Sequence, residues 1–118
     1  MIASATRFIK VSSDFASELI KIPHVGWNTL EVTGRRSRLL DGLPDGSTAY
    51  FTHSYAAPIG EETVAQTTHG VAFASVVESK AERGRVFGTQ FHPEKSGAAG
   101  VEMLRRFVEI AREANVQC

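Results

Sequence analysis

The sequence predicts an α/β fold, mostly short strands followed by one long C-terminal helix. Through the first three quarters of the 118 residues, apolar and polar positions alternate over short runs, as on half-buried strands. After Gly97 the apolar period lengthens to that of a helix. Turn residues stand between the runs, above all Pro44-Asp-Gly46 and His69-Gly70.

Thr6–Val11 and Trp27–Val32 are expected as strands, rich in β-branched and aromatic residues. Ser37–Leu43 is short and closed by Gly42, which suits a single helical turn. Pro44 presets its own φ and Gly46 accepts a positive one, so a turn follows. Thr48–Tyr55, Glu62–Thr68, Val71–Glu78 and Val86–Phe91 complete six strands, with His69-Gly70 as a tight connection. In the helix, Val101, Leu104, Val108 and Ala111 form the expected apolar stripe, widened by Met103, Phe107 and Ile110. Glu102, Arg105, Arg106, Glu109, Arg112 and Glu113 take the other side, and Ser96 is the expected N-cap. One helix covers only one face of such a sheet. A second sheet, or helices from a missing segment, must cover the other.

Composition narrows the function classes. With 42% hydrophobic residues the chain can build a core, and its length suits one domain. Thirteen Lys+Arg balance thirteen Asp+Glu without a run of like charges, against nucleic-acid or membrane-surface binding. No apolar stretch approaches the ~20 residues that span a bilayer, and the N-terminus lacks the pattern of a signal peptide. The single cysteine, Cys118, cannot form an internal disulfide, which fits a reducing, cytoplasmic setting. His24, His53, His69 and His92 are spread singly, so no metal site is expected, and no dinucleotide or phosphate loop calls for a cofactor.

The sharpest local feature is Gly88-Thr-Gln-Phe-His-Pro-Glu-Lys-Ser96. Side chains two apart on an extended segment point the same way, roughly 7 Å apart. Glu94 can therefore reach one nitrogen of His92, fix its tautomer and leave the other nitrogen to act as a base. Pro93 is expected to keep the segment extended. On spacing alone, a surface turn without chemistry is the stronger reading, because a base without a visible nucleophile proves little. Ile22-Pro-His-Val-Gly-Trp-Asn28 sets the only tryptophan beside a histidine, and a lone Trp usually packs into the core. In Tyr50-Phe-Thr-His-Ser-Tyr55, Tyr50, Thr52 and Ser54 share one face and Phe51, His53 and Tyr55 the other. The bland reading of His53 is a hydrogen-bonded core histidine.

Gln90-Phe-His-Pro-Glu94 resembles the signature of class I glutamine amidotransferases, in which a Cys-His-Glu triad hydrolyses glutamine to release ammonia. Pro23-His-Val-Gly-Trp-Asn28 and Tyr50–Tyr55 narrow the resemblance to the glutaminase subunits of imidazole glycerol phosphate synthase, which serve histidine biosynthesis. It runs from about Ile22 to Ala114 and more loosely back to Arg7. The resemblance implies that His92 is the general base and that Glu94 orients it. It places Lys95, Trp27 and Tyr50 at the contact with a (β/α)8-barrel synthase subunit, and His53 and Ser54 near the glutamine site. The Pro-His-Val-Gly-Trp-Asn string argues against an amidotransferase serving nucleotide synthesis.

In one place the sequence departs from that pattern. The family's nucleophile sits in a Gly-x-Cys-x-Gly turn, and no such turn occurs in these 118 residues. Cys118 follows the helix without a neighbouring glycine and is expected as a tail residue. Residues 1–118 are therefore expected to be part of an amidotransferase domain, inactive alone, with its N-terminal portion and the helices over the sheet missing. The alternative is a non-catalytic remnant that binds the barrel subunit.

Overall fold

The computed structural model describes residues 7–10, 20–34, 37–44, 46–79 and 86–116. The strands are β1 (Arg7–Lys10), β2 (Ile20–Thr29), β3 (Glu31–Val32), β4 (Thr48–Ala56), β5 (Thr63–His69), β6 (Val71–Glu78) and β7 (Val86–Thr89). A 3-10 turn at Pro93–Lys95 leads into the helix α1 (Gly97–Val116). The α/β class, strands followed by one long helix, is as the sequence predicts.

The strands form two sheets. A five-stranded one has the order β1-β7-β6-β5-β3, and β2 pairs with β4 in a separate ribbon. β1 runs parallel to β7, and the other pairs are antiparallel. The β5–β6 hairpin closes through Gly70 alone, at φ 81°, a conformation that glycine adopts without a Cβ penalty. In the ribbon, His24 and Phe51 face inward, and Phe51 meets Phe73 and Phe91 edge to face at 5.8 and 5.6 Å. The ribbon and α1 pack into one core cluster, in which Phe51 joins Met103 and Ile110.

One expectation about the strands is corrected. The sequence places one strand at Trp27–Val32. The structure has a ten-residue β2 ending at Thr29, then a short β3 that joins the other sheet. Leu30, buried between them, marks the switch, and its N–H donates to Ser47 O at 2.8 Å. Pro23 and Gly26 disguise the strand. The register shifts between Lys21 and His24, so the proline falls where no ladder bond is lost.

Of the expected apolar stripe the helix buries the flank, Met103, Phe107 and Ile110, and leaves its centre exposed. Gly100, Met103 and Ile110 are buried with Phe107 packed beside them, whereas Val101, Leu104 and Val108 are exposed, Val101 by 67%. Both sets obey helical spacing, so periodicity alone cannot choose between them. Close approach decides: a Cβ on Gly100 would lie 1.9 Å from Pro93 O, so only glycine lets the helix seat against the preceding turn. Ser96 occupies the cap position, and its carbonyl accepts from Gly100 N–H. Its hydroxyl is engaged elsewhere, on His92 and Tyr50. Arg105 pairs with Glu102 and, at 2.6 Å, with Glu109 on the outer side.

The segment Ser37–Leu43 forms consecutive turns, with Leu40 N–H on Ser37 O and Leu43 N–H on Leu40 O, rather than a helical turn. Arg38 in that segment reaches Glu113 of α1 at 2.7 Å. Thr6, Val11, Asp45 and Cys118 lie outside the described residues.

Urea denaturation can confirm which helix face is buried. Met103→Ala is expected to lose about 2–5 kcal/mol, and Val101→Ala to stay within about 0.5 kcal/mol of wild type. Gly100→Ala is expected to cost about 1–3 kcal/mol or more, through overpacking against Pro93.

Candidate functional site

The site begins where β7 runs out of the core. Phe91 is buried against Phe51, which fixes the backbone just before His92. His92 is extended (φ −100°, ψ 103°), and Pro93 opens the 3-10 turn instead of continuing the extended segment. The expected straight His-Pro-Glu run is thus corrected to a turn, which suits proline because a first helical position needs no N–H donor. The turn brings His92 Nδ1 to 3.2 Å from Glu94 Oε2. The ring is mostly covered and the carboxylate mostly exposed. The Glu94 carboxyl is held below its ordinary value, chiefly by its own backbone N–H. Slight burial opposes that shift, and His92 and Lys95 reinforce it. A carboxylate that accepts from Nδ1–H leaves the lone pair on Nε2, as a base requires.

The backbone of His92 is tied to β4 at both ends. Its N–H donates to Tyr50 O at 3.2 Å. Its carbonyl accepts from Ser96 Oγ at 2.6 Å and from Lys95 N–H at 3.0 Å, while Tyr50 N–H donates to the same serine oxygen at 3.0 Å. Tyr50 and the His-Pro-Glu turn are therefore one unit. Trp27, opposite Tyr50 in the ribbon, meets that ring edge to face at 5.9 Å and is 56% exposed. The core reading of the tryptophan is thereby overturned. Lys95, also exposed, sits in the turn next to Ser96, and a Cβ on Gly97 would lie 3.7 Å from the Trp27 ring. The structure thus gathers Trp27, Tyr50 and Lys95 around the turn that holds His92 and Glu94. A 650 Å³ cleft opens beside them, lined by Trp27, Pro44, Thr48, Ser96 and Glu102 among others.

His53 and Ser54 lie further along β4, on a 410 Å³ cleft shared with His24, Val25 and Thr52. His53 belongs to a directed chain of hydrogen bonds. A carbonyl only accepts, so the 3.1 Å contact to Tyr55 O puts the proton on His53 Nδ1. His53 Nε2 then accepts from His24 Nδ1–H at 3.0 Å, and His24 Nε2 accepts from Asn28 Nδ2 at 3.4 Å. His24 is sandwiched between Phe51 at 4.7 Å and His69 at 4.1 Å, both rings stacked. Burial first, then His69 and His53, lowers its pKa to about 4. Sequence reasoning noticed His24 only as a neighbour of Trp27, and Ser96 only as a cap. Cross-strand register, His24 opposite His53, was the missing signal.

Among the described residues no group of His, Cys, Asp or Glu is placed to hold a metal ion. No helix among them is long and apolar enough to cross a membrane.

The family model of class I glutamine amidotransferases matches residues 8–111. The chain belongs to the class I glutamine amidotransferase family. The match takes in every candidate site residue, from Trp27 to Lys95. Among curated members of the family, the chain is 49% identical over 92 residues to imidazole glycerol phosphate synthase subunit HisH of Xanthomonas campestris pv. campestris strain 8004, covering 78% of this chain and 44% of that protein. The HisH of Yersinia pseudotuberculosis is 41% identical over 102 residues, covering 86% and 48%. That of Halobacterium salinarum is 54% identical over 92 residues, covering 76% and 40%. The chain thus spans about half the length of the curated relatives it matches. A solved structure of a GMP synthase component from Thermoplasma acidophilum shares the fold, with a TM-score of 0.72 at 21% identity. It matches 94% of this chain and 59% of that one.

The imidazole chain gives this amidotransferase chain a pH signature. The folded His24 titrates near 4 and the unfolded one near 6.5, so the unfolded state binds the extra proton between those values. Stability from this group is complete above pH 6.5 and falls as the pH drops toward 4, by up to about 1.4 kcal/mol per pH unit. Urea midpoints measured from pH 7 to pH 4 should show that slope, and His24→Gln should flatten it.

Proposed function

We propose that this chain is the base-bearing part of the glutaminase subunit of imidazole glycerol phosphate synthase, supplying ammonia from glutamine to a (β/α)8-barrel synthase subunit. The observation that carries the reading is the His92–Glu94 pair, 3.2 Å apart in a turn tied to Tyr50. The HisH relatives, at 41–54% identity, support reading that pair as the base and orienting acid of a glutaminase.

In this reading a cysteine thiol gives its proton to His92 Nε2, and the thiolate attacks the side-chain amide carbon of glutamine. His92 then returns the proton to the departing nitrogen, which leaves as ammonia. Water hydrolyses the thioester to glutamate and regenerates the thiol. Glu94 holds the imidazole in the tautomer that both transfers need. His53 and Ser54, on the 410 Å³ cleft, line the approach of glutamine. Trp27, Tyr50 and Lys95 dock the barrel subunit, so that ammonia is released beside its consumer. No cofactor is required by this chemistry.

The nucleophile is assigned to the part of the domain that this chain does not share with its longer relatives. Its one cysteine is the terminal Cys118. The second reading, a binding module without catalysis, draws on the exposure of Trp27 and of Val25, 56% and 74%, on one face of β2.

Glutamate release by the purified chain is expected to stay at background. Adding the region of the Xanthomonas relative that lies outside the 92 matched residues should restore it, and His92→Ala should then lower it about 10²–10⁴-fold. Release by the chain alone, unaffected by His92→Ala, would overturn the chemistry. Loss of that release in Cys118→Ala would make Cys118 the nucleophile. Failure of complementation, with the barrel subunit still captured, would leave the binding module. Capture of the barrel subunit by the chain should be lost in Lys95→Glu.

A further inference from the structure

The Ser96 hydroxyl bonds to two separate elements. His92 and Tyr50 are paired almost as opposed residues of an antiparallel ladder, which would exchange two N–H···O=C bonds. One of these is present, from His92 N–H to Tyr50 O at 3.2 Å. The other has the Ser96 hydroxyl inserted in it: Tyr50 N–H donates to Oγ at 3.0 Å, and Oγ–H donates to His92 O at 2.6 Å. The side chain has little freedom to do otherwise. Ser96 is 1% exposed, and its Cβ packs where a side chain on Gly100 would come within 3.0 Å.

We infer that Ser96 is the positioning residue of His92, linking the place of β4, and hence of the Trp27–Tyr50 face, to the place of the imidazole. Removing the hydroxyl leaves His92 O with its Lys95 N–H donor but takes away the acceptor of the buried Tyr50 N–H. The stitch between strand and turn then hangs on one bond. The imidazole, anchored through its own backbone and through Glu94, loses its fixed register against β4. The inference rests on the glutaminase reading for what His92 does, and on geometry for the link itself.

Nuclear magnetic resonance of the ¹⁵N-labelled chain tests it without any turnover. In the wild type the Tyr50 amide should be protected from exchange, and the His92 ring should show one tautomer, with the proton on Nδ1. In Ser96→Ala the Tyr50 amide should exchange at least tenfold faster, and the His92 ring nitrogens should move toward tautomer-averaged shifts. The amides of Ala65 and Val76 should keep their protection. Should the alanine variant not fold, Ser96→Cys, of the same shape but with a weaker hydrogen-bonding group, is expected to show the same two changes. Unmoved Tyr50 and His92 signals would overturn the inference. So would a uniform loss of protection across β5 and β6, the mark of a merely structural serine. A failed complementation assay would remove the glutaminase reading and leave this result standing.

Discussion

One serine hydroxyl holds the end of β4 against the turn that carries His92, and the surrounding structure is arranged so that it can. Phe91 must be sunk in the core for His92 to emerge beside Tyr50. Gly100 must lack a side chain for α1 to press close enough to fix the Ser96 Cβ. The bond itself is modest, since a hydrogen bond contributes about 1 kcal/mol net. Its weight comes from burial, because an orphaned donor inside the protein costs about 1–3 kcal/mol. Local stability and the alignment of His92 are therefore the same property at this position.

The two histidine environments on β4 show how one strand serves opposite ends. Near Tyr50, His92 sits at the edge of the core with a carboxylate beside it, an arrangement that puts the ring proton on Nδ1 and the lone pair on the far nitrogen. At His53, rings stack and bond to rings, an amide and a carbonyl. Such a network suits a neutral His24, whose pKa burial and the neighbouring rings lower. The same residue type is thus a candidate base in one place and structural mortar in the other.

Much of this was legible beforehand, and the misses share a cause. The hairpin at Gly70, the strands β4 to β7 and the helix after Gly97 follow from local period and turn chemistry. So does the reach of Glu94 to His92, although a 3-10 turn brings it about where an extended run was expected. What escaped is information about the third dimension. Pro23 and Gly26 hid β2, because their effect depends on a register shift that only the partner strand defines. The helix face was misjudged because Val101, Leu104 and Val108 match Gly100, Met103 and Phe107 in period, and the deciding contact is with Pro93 O. Trp27 looked like core because tryptophan usually is. Its cross-strand neighbour Tyr50 lies on the outer face of the ribbon with it.

The parallel pairing of β1 with β7 joins Arg7 to Val86, residues far apart in the sequence. During synthesis, at roughly 5–20 residues per second, β1 leaves the ribosome several seconds before its partner is made. In that interval it carries the unpaired backbone of an edge strand, a template for any other extended chain nearby. The hairpin of β5 and β6 can close meanwhile, because its two strands are adjacent in sequence and separated by a single glycine. The β5–β6 hairpin therefore needs no distant partner, whereas β1 must wait for β7.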